Sequence, residues 1–112
     1  MMLPWNEYRQ QLRAGVSEIG KLSPGTIRGI VELSSANPGT EHLGPKTREL
    51  IALAVAVTLR CDGSIATHID AAMRLGATRE EVAEALGVAI AVSAGTALVY
   101  STRVMDAFET HG

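Results

Sequence analysis

Apolar side chains recur at helical spacing along most of the chain, and no stretch alternates in the manner of a β-strand. The first such segment, residues 4–20, has apolar positions at Trp5, Tyr8, Leu12, Val16 and Ile19. The SPGT breaker (23–26) follows it, and a second segment starts near Thr26. The pattern therefore predicts two amino-terminal helices within residues 4–36.

Four further helices are predicted within residues 45–109, after a loop over 34–45 that is dense in turn formers. Pro45 suits the first turn of the third helix, which should run to about Arg60. The fourth helix should run from Ser64 to Leu75, and Gly76 is expected just beyond its end. A break between these two helices is expected near Cys61–Gly63, because Asp62 and Gly63 favour turns and caps.

The last two predicted helices begin after the TREE sequence (78–81), which is a capping box. Thr78 should cap the fifth helix while the Glu81 side chain reaches back to it. This helix is expected to end near Ser93, Gly95 should interrupt the chain, and a sixth helix should cover about 97–109. The sequence thus predicts a single all-α domain of about six helices over residues 1–112.

Composition restricts the core and the partners of this domain. Hydrophobic residues make up 46% of the 112 residues but aromatic residues only 4%, so small aliphatic side chains must form the core. The net charge of −2 gives no basic surface for nucleic acid. Because the predicted fifth and sixth helices are apolar on every side, we expect a homo-oligomer that buries them between subunits.

A cytoplasmic location is expected from the cysteine count and the apolar runs. A single cysteine excludes an intramolecular disulfide and suits a reducing compartment. The amino terminus does not resemble a signal peptide. The runs 50–59 and 86–100, ten and fifteen residues long, are too short for a membrane span, so no membrane contact is predicted.

The sequence RCDGSIATH (60–68) holds the candidate chemistry. Cys61 lies at or just before a helix start, where unpaired N–H groups and the helix dipole stabilise a thiolate. Ser64 and His68 are four residues apart and so share a helix face. The alternative is that Cys61 is a small buried hydrophobe, that Ser64 lies exposed in a first turn, and that His68 is a surface or core histidine.

Glu49 lies in an otherwise apolar region of the third predicted helix. If this helix packs on the next one, Glu49 can face His68, and the pair can pass a proton to or from a nucleophile. The alternative is that Glu49 is a first-turn glutamate that favours the helix dipole. His42, His68 and His111 do not have the spacing of metal ligands, and no phosphate loop or dinucleotide fingerprint is present. No metal or cofactor is therefore predicted.

The sequence from Lys46 to Val92 resembles the carboxymuconolactone decarboxylase / alkylhydroperoxidase D (AhpD) superfamily, in particular its short single-domain members. The family hallmark is a glutamate, a Cys-x-x-Cys twelve residues later and a histidine four beyond the second cysteine. Glu49 precedes Cys61 by twelve residues, and His68 follows Ser64 by four. The resemblance implies an AhpD-like helical fold, a trimer or hexamer, and reduction of small organic hydroperoxides.

The resemblance also implies roles for these residues. Glu49 and His68 correspond to the proton relay, and Cys61 to the resolving thiol that forms a disulfide. The attacking cysteine is replaced by Ser64, so the usual cycle with a dithiol reductant is in question. Either the serine is a laboratory replacement, or Cys61 acts alone with an external thiol, or the redox chemistry has been lost.

Three functions are therefore open at the level of sequence. The first is a thiol peroxidase-like antioxidant protein that uses Cys61. The second is cofactor-free chemistry with Glu49, Ser64 and His68, either decarboxylase-like on a small lactone acid or hydrolytic. The third is a non-catalytic oligomeric binding protein. The sequence AVSAGTAL (91–98) departs from the glycine-rich break that many short family members carry.

Overall fold

The chain forms five α-helices in a computed structural model that describes residues 2–36 and 42–112. They are α1 (Trp5–Leu22), α2 (Pro24–Ser34), α3 (Pro45–Leu59), α4 (Asp62–Arg74) and α5 (Arg79–Glu109). No strand occurs within those two ranges. The all-α prediction is confirmed, but the number of helices is five and not about six.

Gly95 does not interrupt the last helix, contrary to the sequence prediction. It lies inside α5, a single helix of 31 residues. An internal glycine costs a helix only about 1 kcal/mol, and neither an asparagine nor a proline follows to stop it. The continuous helical pattern on both sides outweighs that cost.

The prediction of no membrane contact assumed that the apolar run 86–100 is too short to span a membrane. That run lies within α5, a single helix of 31 residues. By length and composition α5 could cross a membrane, since its most apolar window has a mean hydropathy of 1.9.

Two helix starts also differ from expectation, because α2 begins at Pro24 and α4 at Asp62. The predicted loop over 34–45 falls partly outside the described residues, at 37–41, and residue 34 belongs to α2.

The helices pack in an open row in the order α2, α1, α4, α3, α5. Each of the three inner helices contacts two neighbours, and in the described part of the chain α2 packs only on α1, and α5 only on α3. An open row cannot enclose a core, and only five of the residues described are buried hydrophobics: Leu53, Ala56, Ala66, Ala72 and Ala89. Four of these five lie on α3 and α4.

Two local motifs set where α4 ends and α5 begins. Gly76 has a φ of +85°, and its N–H donates to the carbonyl of Met73 over 3.1 Å, while the N–H of Ala77 donates to Ala72 over 2.9 Å. These bonds form a Schellman motif, as the glycine predicts. The capping box is confirmed, because Thr78 accepts from the Glu81 N–H and Glu81 accepts from the Thr78 N–H.

Glu81 also joins α5 to α3. Its Oε2 lies 2.8 Å from the Lys46 Nζ. The hydrogen bond from Lys46, followed by that from the Thr78 N–H, lowers the pKa of the Glu81 carboxyl below its ordinary value. A carboxyl with a lowered pKa stabilises the fold at neutral pH, and this stabilisation is lost as the pH falls through the lowered pKa.

Glu81→Gln tests this ion pair, because glutamine keeps the capping bond but removes the charge. At pH 7 we expect a lower melting temperature than in the wild type. The difference should shrink as the pH falls below about 4.3, the ordinary glutamate value, and disappear below the lowered pKa. Thermal unfolding followed by circular dichroism, with Glu80→Gln as the control, measures it. An equal difference at acid pH would contradict the assignment.

Candidate functional site

A left-handed residue forms the turn between α3 and α4. Arg60 has a φ of +55°, and its N–H donates to the carbonyl of Val57 over 3.2 Å. The next N–H, that of Cys61, donates to Ala56 over 3.1 Å. Left-handed backbone is costly for a residue with a side chain, so these bonds hold Arg60 in a strained position. The break consists of Arg60 and Cys61. The break predicted near Cys61–Gly63 is thus confirmed at Cys61, whereas Asp62 and Gly63 already lie in the first turn of α4.

This turn places Cys61 at the N-cap of α4 with its side chain exposed. The alternative that Cys61 is a buried hydrophobe is therefore wrong. The carbonyl of Cys61 accepts the N–H of Ile65 over 3.0 Å and so begins the helix. The sulfur stands beside the unpaired N–H groups of the first turn.

The pKa of the Cys61 thiol is lowered, and the largest cause is the hydrogen bond from the Ser64 side chain. The N–H of Ser64 and, more weakly, that of Gly63 lower it further. Partial desolvation and the Asp62 carboxylate act in the opposite direction without reversing the shift. Ser64 is therefore the residue that lowers the thiol pKa most, an effect that the sequence spacing alone did not predict.

Glu49 and His68 meet across the contact between α3 and α4. The Oε2 of Glu49 lies 2.7 Å from the Nδ1 of His68, and both side chains are half-buried. Glu49 is the fifth residue of α3, so the first-turn alternative does not describe it. A neutral imidazole that donates from Nδ1 to the carboxylate leaves Nε2 free to take up or release a proton.

Ser64 and His68 occupy consecutive turns of α4, and Cys61 caps the same helix. The structure thus brings together an exposed thiol with a lowered pKa, the hydroxyl of Ser64 in the first turn of the same helix, and a carboxylate–imidazole pair. This set can hold a thiolate and exchange a proton nearby. The catalytic roles of the four residues remain predictions.

Helix α1 covers Gly63, in the middle of this motif, and nothing in the sequence indicates that contact. A Cβ at Gly63 would lie 3.3 Å from the Cδ2 of Leu12 and 4.0 Å from the Oη of Tyr8. An ion pair of 3.7 Å between Arg9 and Asp70 also joins α1 to α4. Tyr8 and Leu12 were predicted only as apolar positions of α1, so the structure adds them as neighbours of the site.

Metal binding has no support from the side chains in residues 2–36 and 42–112. No group of three histidine, cysteine, aspartate or glutamate side chains lies close enough there to hold an ion.

Known proteins match nearly the whole length of this chain in sequence. The sequence profile of the carboxymuconolactone decarboxylase family matches residues 24–107. An uncharacterised protein of Haemophilus influenzae is 42% identical over 108 residues, which are 96% of each chain. The uncharacterised protein 4 in the cox locus of Paracoccus denitrificans is 38% identical over 92 residues, 82% of this chain and 83% of its own.

The fold has a counterpart among solved structures. The apo crystal structure of a carboxymuconolactone decarboxylase family protein from Legionella pneumophila matches with a TM-score of 0.75. The two chains are 33% identical, and the match covers 94% of each. Sequence and structure therefore agree on one family.

Ser64→Ala tests the effect of the hydroxyl on the thiol. We expect the pKa of Cys61 to rise towards the ordinary cysteine value of about 8.5, because the strongest hydrogen bond to the thiolate is lost. The rate of alkylation by iodoacetamide as a function of pH reports this pKa. Thr67→Ala, one turn along α4, is the control and should leave the curve unchanged. Superimposable curves for Ser64→Ala and the wild type would refute the contact.

Proposed function

Because the chain belongs to the carboxymuconolactone decarboxylase family, we propose that it is a thiol-dependent peroxidase of small organic hydroperoxides. Cys61 is the reacting sulfur in this proposal. The observation that carries it is the exposed thiol at the N-cap of α4, and Ser64 lowers the pKa of that thiol. The hydrogen bond between Glu49 on α3 and His68 on α4 supports it.

In the proposed first step the Cys61 thiolate attacks the terminal oxygen of the hydroperoxide. A sulfur–oxygen bond forms, the oxygen–oxygen bond breaks, and the substrate leaves as an alkoxide. In the proposal His68 first takes up the proton of the Cys61 thiol at Nε2 and then gives it to the alkoxide, which leaves as an alcohol, while Glu49 holds the imidazole in position. The products are an alcohol and a sulfenic acid on Cys61.

Regeneration requires an external thiol, because the chain has a single cysteine. One thiol condenses with the sulfenic acid, releases water and forms a mixed disulfide. A second thiol attacks that disulfide, which returns Cys61 and leaves the disulfide of the reductant. The proposal therefore places the protein in a reducing compartment such as the cytoplasm, where such thiols are abundant.

Ser64 fits this one-cysteine cycle better than it fits the two-cysteine cycle of the family resemblance. A hydroxyl cannot be oxidised to a sulfenate, but it can donate a hydrogen bond to a neighbouring thiolate. In the proposal Ser64 therefore activates Cys61. It is neither the attacking group nor the nucleophile of a hydrolase.

The first test is the intact mass of the protein after one equivalent of cumene hydroperoxide. We expect the wild type to gain one oxygen atom, and Cys61→Ser to remain unchanged as the control. Ser64→Cys should instead lose two hydrogen atoms, because the new thiol can form a disulfide with the sulfenic acid. If Ser64→Cys reacts and the wild type does not, the proposed one-cysteine activity is absent and serine has silenced the site.

The relay predicts that Glu49→Gln slows the oxidation of Cys61. Glutamine keeps the size of the side chain but removes the charge that orients and supports the imidazole. Because general acid–base catalysis typically contributes a factor of about 10² or more, we expect at least a tenfold lower rate. Stopped-flow kinetics with cumene hydroperoxide measure it, and Glu84→Gln on α5 is the control. An unchanged rate would remove Glu49 from the mechanism.

A further inference from the structure

A cavity between α1 and α4 lies beside the candidate site, and the proposed function does not use it. Its volume is 370 Å³, within the range of about 300–1,000 Å³ that is usual for small-molecule sites. The residues that shape it lie on the facing sides of the two helices: Arg9, Leu12, Arg13, Val16, Thr67 and Asp70. Helices and not a surface loop therefore form its walls.

Leu12 separates this cavity from the first turn of α4. It lines the cavity, and its Cδ2 would lie 3.3 Å from a Cβ placed on Gly63. Gly63 and Thr67 are four residues apart, so both face α1 from consecutive turns of α4. The cavity therefore begins about 6 Å along α4 from the turn that presents Cys61, and it is a site distinct from the thiol.

The charged groups of the cavity leave an excess of positive charge. Both oxygens of the Asp70 carboxylate already lie near a guanidinium, Oδ1 at 3.7 Å from the Nη2 of Arg9 and Oδ2 at 3.1 Å from the Nε of Arg74. Arg13 lines the same cavity, and within residues 2–36 and 42–112 no carboxylate forms an ion pair with it. Three arginines therefore surround one carboxylate, which favours an anionic ligand and disfavours a cation.

The remaining wall of the cavity is apolar. Leu12 and Val16 follow one another at a spacing of four on α1 and supply most of this wall. An inorganic anion would match the arginines but would leave the apolar wall in contact with water. A ligand that carries one negative charge and a short hydrocarbon chain matches both parts, because burial of apolar surface adds to the electrostatic attraction.

We propose that the cavity between α1 and α4 binds a small aliphatic carboxylic acid as its anion. Arg13 donates two parallel hydrogen bonds to the carboxylate, and the hydrocarbon chain lies against Leu12 and Val16. Arg9 is held by the Oδ1 of Asn6 over 2.9 Å and by Asp70, so it contributes charge without leaving its partners. This site does not rest on the proposed function, since no step at Cys61 requires it.

The test is isothermal titration calorimetry of the full chain with hexanoate. We expect saturable binding that Arg13→Gln weakens about tenfold or more, because glutamine removes both the charge and the paired donors. Arg28→Gln is the matched control, since Arg28 is equally exposed but lies on α2 outside the cavity. On the wild type, 1-hexanol should bind at least tenfold more weakly than hexanoate, because it has the same chain without the charge.

Amide chemical shifts in ¹H–¹⁵N spectra locate the bound hexanoate. We expect the largest changes at Leu12 and Thr67, and the same changes in Cys61→Ser, whose failure as a peroxidase would leave this site intact. The proposal is overturned by the absence of saturable binding, by equal loss in Arg13→Gln and Arg28→Gln, or by equal affinity for hexanol. Shifts confined to the apolar groove between α3 and α5 would overturn it as well.

Discussion

The close contact between α3 and α4 is the interaction on which the rest of the molecule depends. Ala56 on α3 and Ala66 and Ala72 on α4 are buried, and such small side chains allow two helices to approach closely. Glu49 and His68 bond across it, and the turn that joins the helices presents Cys61. α1 and α5 attach to its outer sides. Stability and the candidate chemistry thus share one contact, and a change that separates the two helices affects both.

The candidate site uses only part of the row of helices. The site needs only α3, α4 and the edge of α1 that covers Gly63, and these are held by contacts within one chain. α5 does not contribute to the four predicted site residues, yet it carries the largest exposed apolar surface. In the proposed function α3 and α4 perform the chemistry, and α5 takes no part in it.

The sequence predicted the features that depend on short-range rules and missed those that depend on packing. The capping box at Thr78 and the helix end at Gly76 follow from residue type alone, and both are confirmed. The helix break predicted at Gly95 was wrong, because a single glycine weakens a helix without ending it. The left-handed Arg60 could not be predicted, since residues other than glycine rarely adopt this backbone conformation. The cover of Gly63 by Leu12 joins residues that are distant in sequence, and periodicity does not report such pairs.

Because of the turn at Arg60, the contact between Glu49 and His68 depends on the number of residues between them. Glu49 and His68 are nineteen positions apart. The residues between them form the end of α3, the left-handed Arg60, Cys61 and the start of α4. One residue inserted there would turn everything beyond it by about 100° around the helix axis, and the histidine would no longer face its carboxylate. Side chains along this segment can be exchanged one at a time, but an insertion or deletion changes the whole geometry at once. The segment is therefore a poor place for a tag, a loop graft or a circular permutation, although its turn lies at the surface.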